Sequence, residues 1–294
     1  MRWAGGDLPE LVAARFDRRV IASAVVHSGD GTTAYKVRLD NRSTVFVKTQ
    51  PRRLPTMFSR EADGLAWLGE TNTVRVPRVL AVQDDPDPEV VHRFLVLEWI
   101  EPGPPSPDHE ELLGRALAAL HRFPCARFGL EHDNDVGVLP QDNTPAPTWP
   151  ELYAHRRLEP LVRRAVDAGH LPPDTASRVA ALGRRLPELA GPAEPPARLH
   201  GDLWRGNVIS DRHGGPVLVD PAVYGGHREM DLAMMQLFGG FGGRVFDAYD
   251  EVHPRAAGHA ERVGLWQLYP LLVHVNLFGA GYASSLLRTL ARYE

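Results

Sequence analysis

Cysteine is nearly absent from this chain: among 294 residues Cys125 stands alone, so no disulfide can form within it. A chain without disulfides fits a reducing, cytoplasmic compartment, and a lone thiol reads first as a small buried apolar residue. Lysine is almost as scarce, with only Lys36 and Lys48 among 33 basic residues that are otherwise arginine. A lysine kept in such a background is less easily dismissed as solubilising charge. A formal net charge of −4 leaves no general basic surface, so no nucleic-acid partner is expected. No apolar run approaches the roughly 18 residues of a membrane span. No signal-peptide core or internal repeat is found either, so no membrane partner is expected. The composition that remains is 43% hydrophobic and 24% charged, which suits a substantial core in one large or two modest domains.

The most informative stretch is His200-Gly201-Asp202-Leu203-Trp204-Arg205-Gly206-Asn207, followed by Val217-Leu218-Val219-Asp220. It matches the catalytic-loop pattern H-R-D-L-x-x-x-N at every fixed position but the second, where Gly201 replaces Arg. In that pattern an Asp orients the attacking hydroxyl, while an Asn five residues on and a later Asp hold magnesium against nucleotide phosphates. Asp202 is therefore the candidate base, and Asn207 and Asp220 are the candidate metal ligands. Asn207–Ser210 and Pro216–Val219 are short apolar runs around the turn signal Asp211-Arg212-His213-Gly214-Gly215, so a hairpin with both ligands at its open end is expected. An incidental surface loop would rarely place three polar residues at these spacings.

Upstream, Val20–Val26, Ala34–Leu39 and Thr44–Lys48 read as strands. The turn between the first two carries Gly29 and Gly31, which would let backbone N–H groups approach phosphates; ordinary hairpin turns carry the same glycines. Lys48 ends an otherwise apolar strand, and Glu61 follows on the helical pattern Ser59–Leu68. Singly, either could be a solvated charge; in this order they resemble the lysine–glutamate pair that holds nucleotide phosphates. Thr73–Val82 and Arg93–Ile100 look like the remaining strands, with a surface turn from Asp84 to Pro88 between them. Glu98 and Ile100, just before the proline-rich Glu101–Pro107, occupy the place of a hinge offering backbone groups to adenine. The domain boundary is placed there, giving a nucleotide-binding lobe of residues 1–100 and a catalytic and acceptor-binding lobe of residues 101–294.

Beyond the break the pattern is helical: Glu110–His121, Glu151–Ala168 and Thr175–Leu189, the last two with arginine-rich outer faces, then Glu229–Phe238, Arg262–Phe278 and Leu286–Tyr293. His121 reads as a packing or capping residue, Asp133 and Asp135 as turn residues, and Met230, Ala233, Met234 and Leu237 as core. Strands first and helices after make the fold class α+β, with the catalytic loop between a small antiparallel-sheet lobe and a large helical lobe.

The His200 loop resembles that of small-molecule kinases of the aminoglycoside phosphotransferase and choline kinase superfamily. Asp220-Pro221-Ala222, Tyr224-Gly225-Gly226-His227-Arg228-Glu229-x-Asp231-Leu232-Ala233-Met234, Leu237–Phe241 and Asn276–Tyr282 resemble the fructosamine (ketosamine 3-) kinases more narrowly. The likeness runs from the Gly29 region to about Tyr282. It implies a protein-kinase-like bilobal fold and ATP- and Mg2+-dependent phosphorylation of the 3-hydroxyl of a ketoamine, free or on a glycated protein. By position it implies Lys48 and Glu61 at the nucleotide, Asp202 as base, and Asn207 and Asp220 at the metal. Trp204, His227 and Glu229 are candidates for substrate contact, although packing or a buried hydrogen-bond network would need the same residue types. Some relatives carry a redox-sensitive cysteine in the glycine-bearing turn; residues 28–33 contain none. The competing readings are a kinase for another small hydroxylated acceptor (aminoglycoside, choline or homoserine type) and a silent nucleotide-binding protein.

Overall fold

The computed structural model describes residues 12–13, 15–29, 32–50, 56–84 and 93–294. Five strands, β1 (Val20–Gly29), β2 (Thr32–Leu39), β3 (Thr44–Gln50), β4 (Val79–Gln83) and β5 (Arg93–Glu98), form one antiparallel sheet in the order β1-β2-β3-β5-β4. Alternation along β2 and β3 divides its faces. Tyr35, Val37, Val45 and Val47 pack outward with Val12, Phe94 and Val96. The register pairs Ala34 with Lys48 and Lys36 with Phe46, which puts both lysines on the opposite, inner face.

Helix α1 (Met57–Gly69) lies between β3 and β4 in sequence and covers that inner face with Phe58, Ala62 and Leu65 against Leu95 and Leu97. Its first turn has no local side-chain cap. Asp84 supplies one from beyond the helix, accepting the Phe58 and Ser59 N–H groups at 2.7 and 3.1 Å. Asp84, expected in a surface turn, is therefore buried; orphan N–H groups at a helix start need an acceptor wherever one can be found. The rest of that turn lies outside the described residues. The strand expected over Thr73–Val82 begins only at Val79: Thr71 and Thr73 bond to each other in a turn, and the Arg75 carbonyl accepts the Leu218 N–H from the larger lobe.

The larger lobe begins with α2 (His109–Arg122) and continues through a small hairpin, β6 (Asn134–Val136) and β7 (Leu139–Gln141). Helix α3 (Trp149–Leu152) passes through a π-helical turn, Tyr153–Leu158, into α4 (Glu159–Asp167); α5 (Thr175–Leu189) follows. One arginine of the supposed outer face, Arg157, is wholly buried. It lies within the π turn, where the extra residue per turn re-aims side chains. Then come β8 (Ala197–Leu199), the hairpin β9 (Val208–Ser210) and β10 (Pro216–Leu218), and β11 (Tyr224–Gly226), which pairs with β8. Helices α6 (Glu229–Leu237), α7 (Gly243–Val252), α8 (His259–Phe278) and α9 (Ala283–Leu290) close the chain.

The stretch His259–Leu290 is long and apolar enough by composition to cross a membrane, with mean hydropathy 1.2 over its best window, contrary to the sequence reading. In the fold its first part, α8, is the central core helix, burying Leu265, Trp266, Leu268, Leu272 and Val275. The whole is a protein-kinase-like bilobal α+β fold. One apolar cluster joins Leu68 and Val74 to Leu113, Leu117, Leu203, Val208, Leu218 and Leu232, directly beneath the loop that carries Asp202.

Candidate active site

Lys48, on the inner face of β3, meets Glu61, one turn into α1. Lys48 Nζ donates to Glu61 Oε1 at 2.8 Å and to Asp220 Oδ1 at 2.5 Å. Burial alone would lower the lysine pKa, but Asp220 and Glu61 outweigh it and hold the ammonium above its ordinary value. The Glu61 carboxyl is raised, burial exceeding the opposing pull of Lys48. The helix packs closely here: a Cβ at Gly64, one turn beyond Glu61, would reach Val223 and Pro221 at 3.3 and 3.5 Å. The helix that carries Glu61 thus lies directly on the segment after Asp220.

The loop from His200 to Asn207 is held from behind. His200 is fully buried, its Nε2–H donating to the Val219 carbonyl at 3.0 Å and its Nδ1 accepting the Asp202 N–H at 3.3 Å. Burial lowers its pKa, which keeps the ring neutral and suits that tautomer. Asp231, on α6, accepts the His200 and Gly201 N–H groups at 2.8 and 2.9 Å and meets His121 Nε2 at 3.2 Å. His121 in turn meets the Tyr249 hydroxyl at 2.9 Å. Burial works against the Asp231 charge, but these donors hold its carboxyl below the usual range. His121 is a buried packing residue whose ring also bonds Asp231, and Asp231 is a site residue that spacing alone does not single out.

Asp202, partly buried, accepts Asn207 Nδ2 at 3.0 Å on Oδ2; the same amide group also donates to the Asp202 carbonyl at 2.8 Å. Burial pushes the Asp202 carboxyl up to about 7; the Asn207 bond opposes the rise, and the charges of Asp220 and Asp231 add to it. A carboxyl poised near neutrality beside a cavity is suited to accept a proton. With its N–H groups turned to Asp202, Asn207 leaves Oδ1 without a donor among the described residues. Asp220 follows β10 at φ +56°, a left-handed conformation unusual for a side chain, with its carboxylate about half exposed (49%). An amide oxygen and a carboxylate are the donor set of a hard cation such as Mg2+, which is completed by phosphate and water. The residues present fit such an ion.

A cavity beside Asp202 and Gly201 is lined by Met230, Met234, Tyr269 and His274. Met230 and Met234, expected purely as core, thus also wall the space in front of the candidate base. Tyr269 is fixed from behind: its hydroxyl donates to Gln141, Gln141 donates to Asn134 at 2.7 Å, Asn143 also donates to Asn134 at 2.8 Å, and Arg157 donates to Asn143 at 2.7 Å. No sequence pattern signalled this network.

The remaining expected residues are scattered. Trp204 is exposed, with its indole over Gly206, where a Cβ would lie 2.3 Å from the ring. Glu98 accepts the Arg78 N–H at 3.3 Å and Ile100 is buried. Gly29 ends β1 opposite Thr32; Gly31 lies outside the described residues. His227 and Glu229 are not brought to Asp202. Glu229 is buried in a bidentate ion pair, accepting Arg262 Nε and Nη2 at 2.9 and 2.6 Å, and also accepts Trp266 Nε1 at 2.8 Å. His227 stacks on Trp266 at 5.4 Å and lines a separate cleft of about 570 Å3 beside Glu194. Their polarity satisfies the helical core.

A family model for fructosamine kinase matches residues 12–293. The chain is 38% identical over 262 residues to the protein-ribulosamine 3-kinase of Oryza sativa subsp. japonica, covering 85% of this chain and 72% of that one. It is 36% identical over 250 residues to the protein-ribulosamine 3-kinase of Arabidopsis thaliana, covering 84% and 75%. A crystal structure from Thermobifida fusca, assigned to fructosamine-3-kinase, superimposes with a TM-score of 0.88 at 43% identity, covering 97% and 98%. A macrolide 2'-phosphotransferase from Brachybacterium faecium shares the fold, with a TM-score of 0.59 at 15% identity over 97% of each chain.

Proposed function

We propose a reaction from one premise: this chain belongs to the fructosamine kinase family. It transfers the terminal phosphoryl group of ATP to the 3-hydroxyl of a ketoamine carried by a free amine or a glycated protein. The observation that carries this reading is the convergence of Lys48, Glu61 and Asp220 in one bonded group, next to the Asp202–Asn207 pair. The lobes divide at 100/101, nucleotide on one side and acceptor on the other.

Each residue has one task. Lys48, kept charged by its two carboxylates, holds nucleotide phosphate; Glu61 orients Lys48. Residues 98–100 offer hinge backbone to adenine, and the turn at Gly29 and Gly31 covers the phosphates. Asp202 accepts the proton of the 3-hydroxyl as that oxygen attacks, and Asn207 fixes the carboxylate for it. Trp204 offers an indole face to the sugar. Asn207 Oδ1 and the Asp220 carboxylate would hold Mg2+, which when bound neutralises charge on the phosphates. Glu229 and His227 are given no contact with the acceptor. Positioning and charge neutralisation are the main needs of this chemistry.

The product accounts for the activity. When a proton leaves the aminomethyl carbon to form the enol with the ketone carbon, the phosphate on the carbon at the far side of that ketone departs with its C–O electron pair, and hydrolysis of the resulting imine then frees the amine. The enzyme is thereby a deglycation catalyst. The test is ADP release with fructose-, ribulose- and erythrulose-derived lysine beside aminoglycoside, choline and homoserine. A ketoamine should give the highest kcat/KM; a control far above every ketoamine would overturn the acceptor but leave the phosphotransferase.

A further inference from the structure

We propose that an exposed aromatic surface made of Phe238 and Phe278, backed by the partly buried Tyr282, docks the polypeptide on either side of a glycated lysine; this rests on the ketoamine kinase reading. Phe238 and Phe278 are 41% and 52% exposed, although both sit at helix ends of a well-packed lobe. Their rings belong to one cluster with Tyr282 and His274: Phe238 lies 4.7 Å from His274 and 6.5 Å from Tyr282, and Phe278 lies 5.5 Å from His274 and 6.1 Å from Tyr282. Contiguous exposed aromatic area of this kind marks an interaction surface rather than scattered exposure.

Its position selects the occupant. His274 belongs to the cluster and also lines the cavity that contains Asp202. His274 thus places the patch next to the cavity in front of Asp202. In a ketoamine the reacting oxygen is separated from the nitrogen by three carbons only, so whatever the nitrogen carries must lie just outside that cavity. A free sugar amine ends there. A lysine stem with its flanking residues extends onto the neighbouring surface, and aromatic rings suit its methylenes and apolar neighbours. The turn after Phe238 joins the patch to the catalytic loop. Gly239 and Gly240 take φ of +70° and +89°, and a Cβ on Gly240 would strike the Arg205 side chain, one residue after Trp204. A relative at 38% identity is itself a protein-ribulosamine 3-kinase.

The experiment compares Phe278→Ser and Phe238→Ser with the parent on two acceptors, a ribosylated small protein and ribulose-derived methylamine. Neither phenylalanine lines the Asp202 cavity, so the small acceptor also reports folding. Expected is a fall of about tenfold or more in kcat/KM for the glycated protein, with the small acceptor changed less than about twofold. Equal losses on both acceptors, or no loss on the protein, overturn the docking surface. Sedimentation showing a parent dimer that Phe278→Ser dissociates also overturns it, assigning the patch to a second copy. A parent that phosphorylates neither acceptor overturns the ketoamine reading itself, and the docking surface with it.

Discussion

Asp231 Oδ1 accepts the Gly201 N–H at 2.9 Å, at the position where glycine stands in place of the arginine of the kinase pattern. Gly201 has φ +83°, and a Cβ there would lie 2.0 Å from the Ala222 carbonyl oxygen. The loop backbone that the α6 carboxylate holds thus has a conformation and a proximity that favour glycine.

Gly201→Ala should therefore destabilise the protein by at least about 2 kcal/mol, a left-handed penalty plus a backbone clash. It should also displace Asp202 and reduce turnover. Thermal melting and initial rates check both; a variant with the parent's melting temperature and rate would mean that Asp231 does not dictate the loop.

Glu229 is tied into the core by Arg262 and Trp266. Its ion pair with Arg262 is almost fully buried, and removing one member of such a pair typically costs about 3–5 kcal/mol. Glu229→Ala is expected to lower the melting temperature sharply while the KM for acceptor, measured well below the transition, stays near the parent's. An unchanged melting temperature with a raised KM would return Glu229 to the acceptor site.

How much of this was legible beforehand follows from distance along the chain. Asp202, Asn207 and Asp220 lie on one loop and hairpin, so local spacing was enough to group them. Lys48 and Glu61 were grouped because strand and helix follow each other in kinase order. The Asp84 cap on α1 was hidden because its partners are 25 and 26 residues away. Arg157 looked like surface charge because nothing in its composition announces a π turn. Glu229 and His227 are ambiguous in sequence because a buried polar network uses the same residue types as a binding site. Asp231 was visible as part of a motif, yet its task appears only when α6 is packed behind the loop.

Asp202 should cost stability at high pH. Its folded pKa of about 7 lies above the ordinary 3.8. Below pH 3.8 both folded and unfolded states are protonated and nothing is lost. As pH rises toward 7 the unfolded state is favoured by its easier ionisation, and above 7 the loss is complete, about 4 kcal/mol at most. Asp202→Asn removes the titration, so the variant's melting temperature should exceed the parent's more at pH 8 than at pH 5. A difference that is the same at both pH values would mean the carboxyl ionises normally.

Lys48→Met leaves two carboxylates without their ammonium and the nucleotide phosphates without a cation. Turnover of ATP and ketoamine should fall about 10²–10³-fold, the usual scale for losing one charged group that stabilises the transition state. Initial rates at saturating nucleotide measure it; a loss confined to the KM for ATP would limit Lys48 to ground-state binding.

The proton-accepting role of Asp202 is tested most directly by ADP release from Mg-ATP and ribulose-derived lysine, followed across pH for the parent and Asp202→Asn. The parent's kcat/KM should rise with pH through about 7 and then level, since the base acts only when ionised. Asp202→Asn should be slower by about 10²–10⁴-fold, the usual contribution of a general base, with no inflection near 7. An Asp202→Asn enzyme that turns over at the parent's rate, with the parent's pH profile, would contradict the assignment.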